Sequence, residues 1–174
     1  ISTKNKVLAD KIKIMRNHGL QKRGIVKYVG QNSRLSEINS NALLIKIGYL
    51  KKDTLHKIKL ARLYDNFLNK RKIKTPNYGC CKKIQHTYHR YVIRVKQRKS
   101  LIKYLKSNGI ETKVHYEKNI HQQKSILKKL KIPFKLHQTN KLSRETLSLP
   151  INQFLSLNQI KYVIKKINEF YKKK

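Results

Sequence analysis

The chain has 174 residues, one domain's worth of protein or one modest domain with an extra arm. Its 39% apolar content is low but sufficient for a core of helices with a single buried face, and the lack of a long apolar run excludes a membrane-spanning helix. The 43 Lys and Arg against 8 Asp and Glu, formally +35, raise nucleic acid or another anionic surface as a partner.

The chain begins at Ile1 and not at methionine, which suggests a processed or truncated piece. Residues 1 to 20 carry lysines throughout and lack the apolar segment of a signal peptide. Leu8, Ile12 and Met15 fall at helical spacing over Lys6–Arg16, and Asn17, His18 and Gly19 stop the pattern. Residues 19 to 34, polar with Gly24 and Gly30, read as a loop. Its last part, Gly30 to Leu35 ("GQNSRL"), sets two amides, a serine and an arginine before a long apolar-periodic segment. Such a cluster suits a helix cap, or a site for an anion.

From about 35 to 69 the spacing predicts a long helix or a kinked pair. Ile38, Ala42, Ile45 and Tyr49 form one stripe, and Ile58, Ala61, Tyr64 and Leu68 another, with Gly48 and the sequence around Asp53 as the places where a bend would fall. Lys70 to Lys83, with Pro76 and Gly79, reads as a connection. The adjacent Cys80 and Cys81 read as reduced thiols, since neighbours rarely bridge and no second pair completes a zinc site. "YVIRV" (91 to 95) is a β-branched, aromatic strand, "SLIKYLKSNG" a short helix closed by Gly109, and "IETKVHY" (110 to 116) an alternating strand. Residues 122 to 130 form a short helix ended by Pro133, and "LSLPI" (147 to 151) a third strand stopped by Pro150. Ser156 and Gln159 then make a capping box for a helix whose buried face is Ile160, Val163, Ile164, Ile167 and Phe170. The order predicts an α/β fold of about three short strands covered by helices, preceded by a long helical arm.

Six segments in order and spacing resemble one family. They are Ile14 to Gly19, "GQNSRL" with Glu37, Ile38 and Ala42, "ARLYDNFL" (61 to 68), "HRYVIRV" (89 to 95), "GIETKVHY" (109 to 116) with His121 and Gln123, and "LSLPI". Nearly the whole chain resembles the C-terminal half of a DegT/StrS-type sugar aminotransferase. These are fold-type-I pyridoxal-phosphate enzymes that aminate keto-sugar nucleotides, usually with glutamate as donor. "NSRL" and the His-x-Gln at 121 to 123 are most similar to members acting on dTDP-3-keto-6-deoxyhexoses. The resemblance implies residues 1–70 as a helical arm and the end of the large cofactor domain, and 71–174 as the C-terminal small α/β domain. It also implies that the Schiff-base lysine and most of the pyridoxal 5'-phosphate site lie upstream of Ile1, so that this chain alone holds no catalytic residue and is inactive. Relatives that carry histidine in place of that lysine dehydrate sugars and do not aminate them.

The same resemblance implies that Asn32 reaches the phosphate of a partner subunit's cofactor, with Arg34 adding charge there. It places His115, Tyr116, His121 and Gln123 near the sugar nucleotide. Glu117 stands where the family usually has proline, which sets a carboxylate near an anionic substrate. The seven histidines have no companion cysteines or clustered acids, so no metal is expected. His86 and His89 read as packing or surface groups. The complete enzyme is expected to be a cytoplasmic homodimer, with no membrane association, serving deoxyamino-sugar and polysaccharide synthesis.

Two alternatives stand beside it, a basic α/β nucleic-acid-binding module and a non-catalytic family remnant. Against the first, lysine outnumbers arginine, the lysines surround every predicted helix, and tyrosines such as Tyr49, Tyr64 and Tyr91 sit at apolar-periodic positions. Nucleic acid is therefore expected only through non-specific charge. Ile, Asn and Tyr are abundant alongside lysine, as an AT-rich coding sequence would produce, but codon bias does not account for the scarcity of acids.

Overall fold

The computed structural model describes residues 1–76, 86–127 and 135–172. Cys80, Cys81, Gly79 and Pro133, each read above, lie outside the described residues. Packing divides the chain into two units, Ile1–Tyr49 and Leu50–Lys174.

In the first unit, α1 (Lys6–Met15) starts at Asn5, whose side chain accepts the Leu8 amide at 3.0 Å. A short hairpin follows, β1 (Leu20–Lys22) and β2 (Ile25–Val26). The chain then returns beside the end of α1: Gln31 and Ser33 donate to the Met15 and Arg16 carbonyls at 3.0 and 2.9 Å. Two glycines permit this close pass. A Cβ on Gly30 would stand 2.4 Å from the Met15 carbonyl oxygen and the Gly19 nitrogen, and one on Gly19 would stand 1.7 Å from the Tyr28 carbonyl oxygen. Gly19 also holds φ at +74°, the left-handed region.

Helix α2 (Glu37–Phe67) is one 31-residue element that begins two residues after the expected start. Ser36 takes the cap, its hydroxyl accepting the Asn39 amide at 3.3 Å, so "GQNSRL" stays outside the helix. The first stripe of α2 is exposed within its unit, Ile38 at 83% and Ile45 at 66%. In the second half Leu60, Ala61 and Tyr64 are buried in the second unit's core, which is why packing divides within α2.

The second unit is built on an antiparallel pair, β3 (Tyr91–Arg94) and β4 (Thr146–Leu149), with Tyr91 opposite Leu149 and Arg94 opposite Thr146. Single bridges widen it on both sides, Lys74 to Arg94 and Lys113 to Ser148. The strand expected over 110 to 116 is thus reduced to the bridge at Lys113. Its first residue is committed elsewhere: after α3 (Arg98–Ser107), Gly109 adopts φ +72°, and the Gly109 and Ile110 amides donate to Lys106 and Leu105 carbonyls in a Schellman motif. Ile110 and Leu105 are both buried, completing that motif's apolar contact.

Next come a 3-10 turn (Ile120–Gln122), α4 (Lys124–Leu127), α5 (His137–Glu145) and α6 (Leu157–Lys172). Helix α6 buries the five residues expected, behind the expected capping box: Ser156 N donates to Gln159 Oε1 at 2.8 Å, and Gln159 N to Ser156 Oγ at 3.2 Å. Its Asn168 closes the end of α2, donating to the Phe67 carbonyl at 2.8 Å and accepting the Asn69 amide at 3.1 Å. Arg98 is buried, and its guanidinium donates to the Ser143 and Thr146 carbonyls at the end of α5. The Tyr64 and Tyr91 rings pack at a tilt with centroids 4.7 Å apart, their hydroxyls donating to the Pro150 carbonyl and to Asp65.

Candidate functional site

Each unit contains one feature that the sequence reading singled out. In the first, the return segment lies antiparallel to the end of α1, with Asn32 bridged to Asn17. The Arg34 guanidinium donates to the Asn17 side-chain oxygen. Lys13, Arg16, Asn17 and Arg34 line a hollow of about 610 Å³. Three cations therefore meet in one corner, with Lys13 also 3.7 Å from Asp10, and the exposed Asn32 is bridged to Asn17 beside the hollow without lining it. His18 adopts φ +57° as it turns the chain out of α1 and makes no part of the hollow's lining.

The second feature is a cavity of about 790 Å³ beside the Lys113 bridge. Its floor is the end of β4 and the segment after it, Ser148 to Asn152, and one wall is the first turns of α6 with Asn158, Gln159 and Tyr162. His89 and Arg90 enter from the start of β3, and Glu111, Lys113 and His115 from the bridging segment. His115 Nδ1 lies 2.9 Å from the hydroxyl of Ser148, which with Arg98 is a buried polar residue among the described residues. Partial burial, then the nearby positive charges of Arg90, Lys113 and His89, hold the His115 pKa below its ordinary 6.5. The ring is therefore mainly neutral at pH 7, and Arg90 and Lys113 are the cations of the wall. Glu111 is the acid there, 3.5 Å from Lys113. Glu117, expected to set a carboxylate by the substrate, is exposed and absent from the lining.

Of the four residues expected near a sugar nucleotide, only His115 lines this cavity. Tyr116 packs edge-on against the His115 ring but is 71% exposed. His121 Nε2 lies 2.9 Å from Asn140 Oδ1, inside a polar knot with Asn119 and Gln122. The Gln123 side chain donates to the Lys118 carbonyl at 3.4 Å. Arg90, Lys113, Ser148 and Tyr162 were not singled out from the sequence, nor was His89 as a site residue. Ser148 carried the one readable signal, a polar residue inside an otherwise apolar short strand.

Among the described residues no helix is long and apolar enough to cross a membrane, and no three His, Cys, Asp or Glu side chains converge as metal ligands. A transaminase of Aneurinibacillus thermoaerophilus described by its product, dTDP-3-amino-3,6-dideoxy-alpha-D-galactopyranose, is 29% identical over 98% of this chain and 46% of its own length. The UDP-2-acetamido-2-deoxy-3-oxo-D-glucuronate aminotransferase of Pseudomonas aeruginosa is 30% identical over 94% of the chain and 44% of its own. The crystal structure of Streptomyces venezuelae DesV in complex with a ketimine intermediate superposes with a TM-score of 0.89 at 26% identity, covering 97% of this chain and 45% of that one. The chain thus spans less than half the length of these relatives. Residues 1–168 match a single family over almost the entire chain, and on that match the protein belongs to the DegT/DnrJ/EryC1/StrS aminotransferase family.

Proposed function

We propose that this chain is the C-terminal portion of a pyridoxal-phosphate-dependent aminotransferase that aminates the keto group of a nucleotide-linked deoxysugar, with glutamate as donor. The complete enzyme works as a cytoplasmic homodimer in deoxyamino-sugar synthesis for polysaccharides. The observation that carries the reading is the cavity around the His115 and Ser148 pair, in a chain matching an aminotransferase family over residues 1–168.

The cavity's volume suits a small polar ligand. Arg90 and Lys113 supply charge for a diphosphate, and the Asn158 and Tyr162 side chains of α6 supply polar groups for a sugar. His115 engages Ser148 through Nδ1, which leaves Nε2 for a substrate hydroxyl or phosphate oxygen. Ile110, Leu149 and Val163 give the wall apolar stretches that keep water from the ligand's non-polar faces. Tyr116, His121 and Gln123 belong to the outer approach in this reading.

The exposed donors of Asn32 and the cations of Lys13, Arg16 and Arg34 fit a phosphate dianion, and Asn32 and Arg34 would hold the cofactor's phosphate. When bound, pyridoxal phosphate supplies the electron sink through which an amino group is moved. The lysine that carries it is contributed by the part of the enzyme outside this chain. The test is to express the complete reading frame that contains this chain and add pyridoxal phosphate. A visible band bleached by borohydride, with amino transfer from glutamate to a dTDP- or UDP-linked keto sugar, is the expected result. A dehydrated sugar product would assign the dehydratase chemistry of some relatives instead. No band and no product would leave a non-catalytic remnant.

A further inference from the structure

A second concave surface of the Leu50–Lys174 unit shares no residue with the cavity around His115. It is a groove of about 670 Å³ where the segment after α2, the end of β3, α5 and the end of α6 meet. Lys70, Arg71, Lys72, Lys74, Lys96 and Lys141 line it, all exposed. The acid in the lining, Glu145, is paired with Arg94 at 3.0 Å. Six cations from three separate segments therefore face one hollow, with no ion-pair partner among the described residues.

Two donors in the same lining are unsatisfied. Arg94 Nε and the Tyr171 hydroxyl are both buried and have no hydrogen-bond partner among the described residues. Buried polar atoms are almost always paired, so each such atom calls for an acceptor. Burial raises the Tyr171 pKa, so the phenol keeps its proton and remains a donor at neutral pH. Six converging cations around two unpaired donors match an acceptor with several negative oxygens and more than one charge.

We propose that this groove binds a short phosphate chain, either a free condensed phosphate or the triphosphate of a nucleotide, with the lysines and Arg71 balancing its charge and the half-buried Arg94 and Tyr171 side chains turning outward to donate from Nε and the hydroxyl to its oxygens. The site is independent of the aminotransferase reading. The test is calorimetric titration of the full chain with sodium tripolyphosphate at about 150 mM salt, where diffuse attraction is screened. Saturable one-to-one binding is expected. Removing charge in the groove with Lys72→Ala, Lys96→Ala and Lys141→Ala together should weaken it about tenfold, whereas Lys11→Ala, Lys22→Ala and Lys46→Ala together should change it less than about twofold. Tyr171→Phe should weaken binding several-fold without lowering the melting temperature, because the hydroxyl it removes has no hydrogen-bond partner among the described residues. Adenosine triphosphate binding more tightly than tripolyphosphate would identify a nucleotide as the source, and equal binding a free phosphate chain. Equal losses in the two triple variants, an unaffected Tyr171→Phe, or binding of a single-stranded oligonucleotide alone would each overturn the proposal.

Discussion

At single positions the backbone constrains this chain as much as its side chains do. Gly30 and Gly109 illustrate two reasons for glycine. A methyl on Gly30 collides with backbone atoms that cannot move aside, whereas one on Gly109 meets open space and only a left-handed φ opposes it. Gly109→Ala should therefore cost about 1 kcal/mol in a urea melt. Gly30→Ala should cost about 2 kcal/mol or more of local stability, seen as faster hydrogen exchange at the Gln31 and Ser33 amides. Unchanged exchange there would mean that the return segment does not lie against α1. His115 makes a pH prediction. Its folded pKa lies below 6.5, so the unfolded chain binds more protons just below that value. The stabilising contribution of the neutral ring is complete above pH 6.5 and is lost as the pH falls toward the depressed value. Wild-type melting temperature should drop on acidification through this window, and the drop should be smaller in His115→Gln.

The elements are held mainly at their ends. Asn168 satisfies two backbone groups at the close of α2, and Asn168→Ala should cost about 1–2 kcal/mol in denaturant unfolding. Ser156→Ala, which removes the hydroxyl of the α6 capping box, should cost about 1 kcal/mol by the same measurement. Both caps act on the helices that supply the core, so their loss should lower the midpoint of the main transition and not create an earlier one. Helix α6 was readable in the sequence down to its cap and each buried residue, because its apolar face repeats at the helical period. Helix α5 was not read as an element. It buries none of its residues, and its one large apolar side chain, Leu142, is 37% exposed, so no periodic signal existed to find.

For the whole molecule, the two stripes of α2 have different fates. The second is core, with Ala61, Tyr64 and Leu68 buried, while Ile38, Ile45 and Tyr49 of the first remain exposed within the first unit. Contiguous exposed apolar surface on a protein of such high charge marks a face that another surface covers. In the proposed homodimer this face meets the partner subunit. Ile45→Glu in the complete enzyme should then raise the monomer fraction in sedimentation velocity at micromolar concentration without loss of helical signal. An unchanged distribution would remove α2 from the interface. The charge of +35 also sorts itself in space: some of it lines the groove behind α5 and α6, some stands at Lys13, Arg16 and Arg34, and the rest is dispersed.

The sequence by itself determined helices α1, α2, α3 and α6, strands β3 and β4, the α6 core face, the caps at Ser156 and Gly109, and the family, since these depend on local spacing and residue type. It also marked His115 and the Asn32 to Arg34 corner, which short motifs carry. Tertiary structure alone decided that Lys113 pairs with Ser148, that His115 shares its cavity with Arg90 and α6, and that His121 turns instead to Asn140. It alone gathered cations from residues 70, 96 and 141 around Tyr171. Those pairings join segments tens of residues apart, and no local period or propensity encodes which of many equivalent lysines will meet.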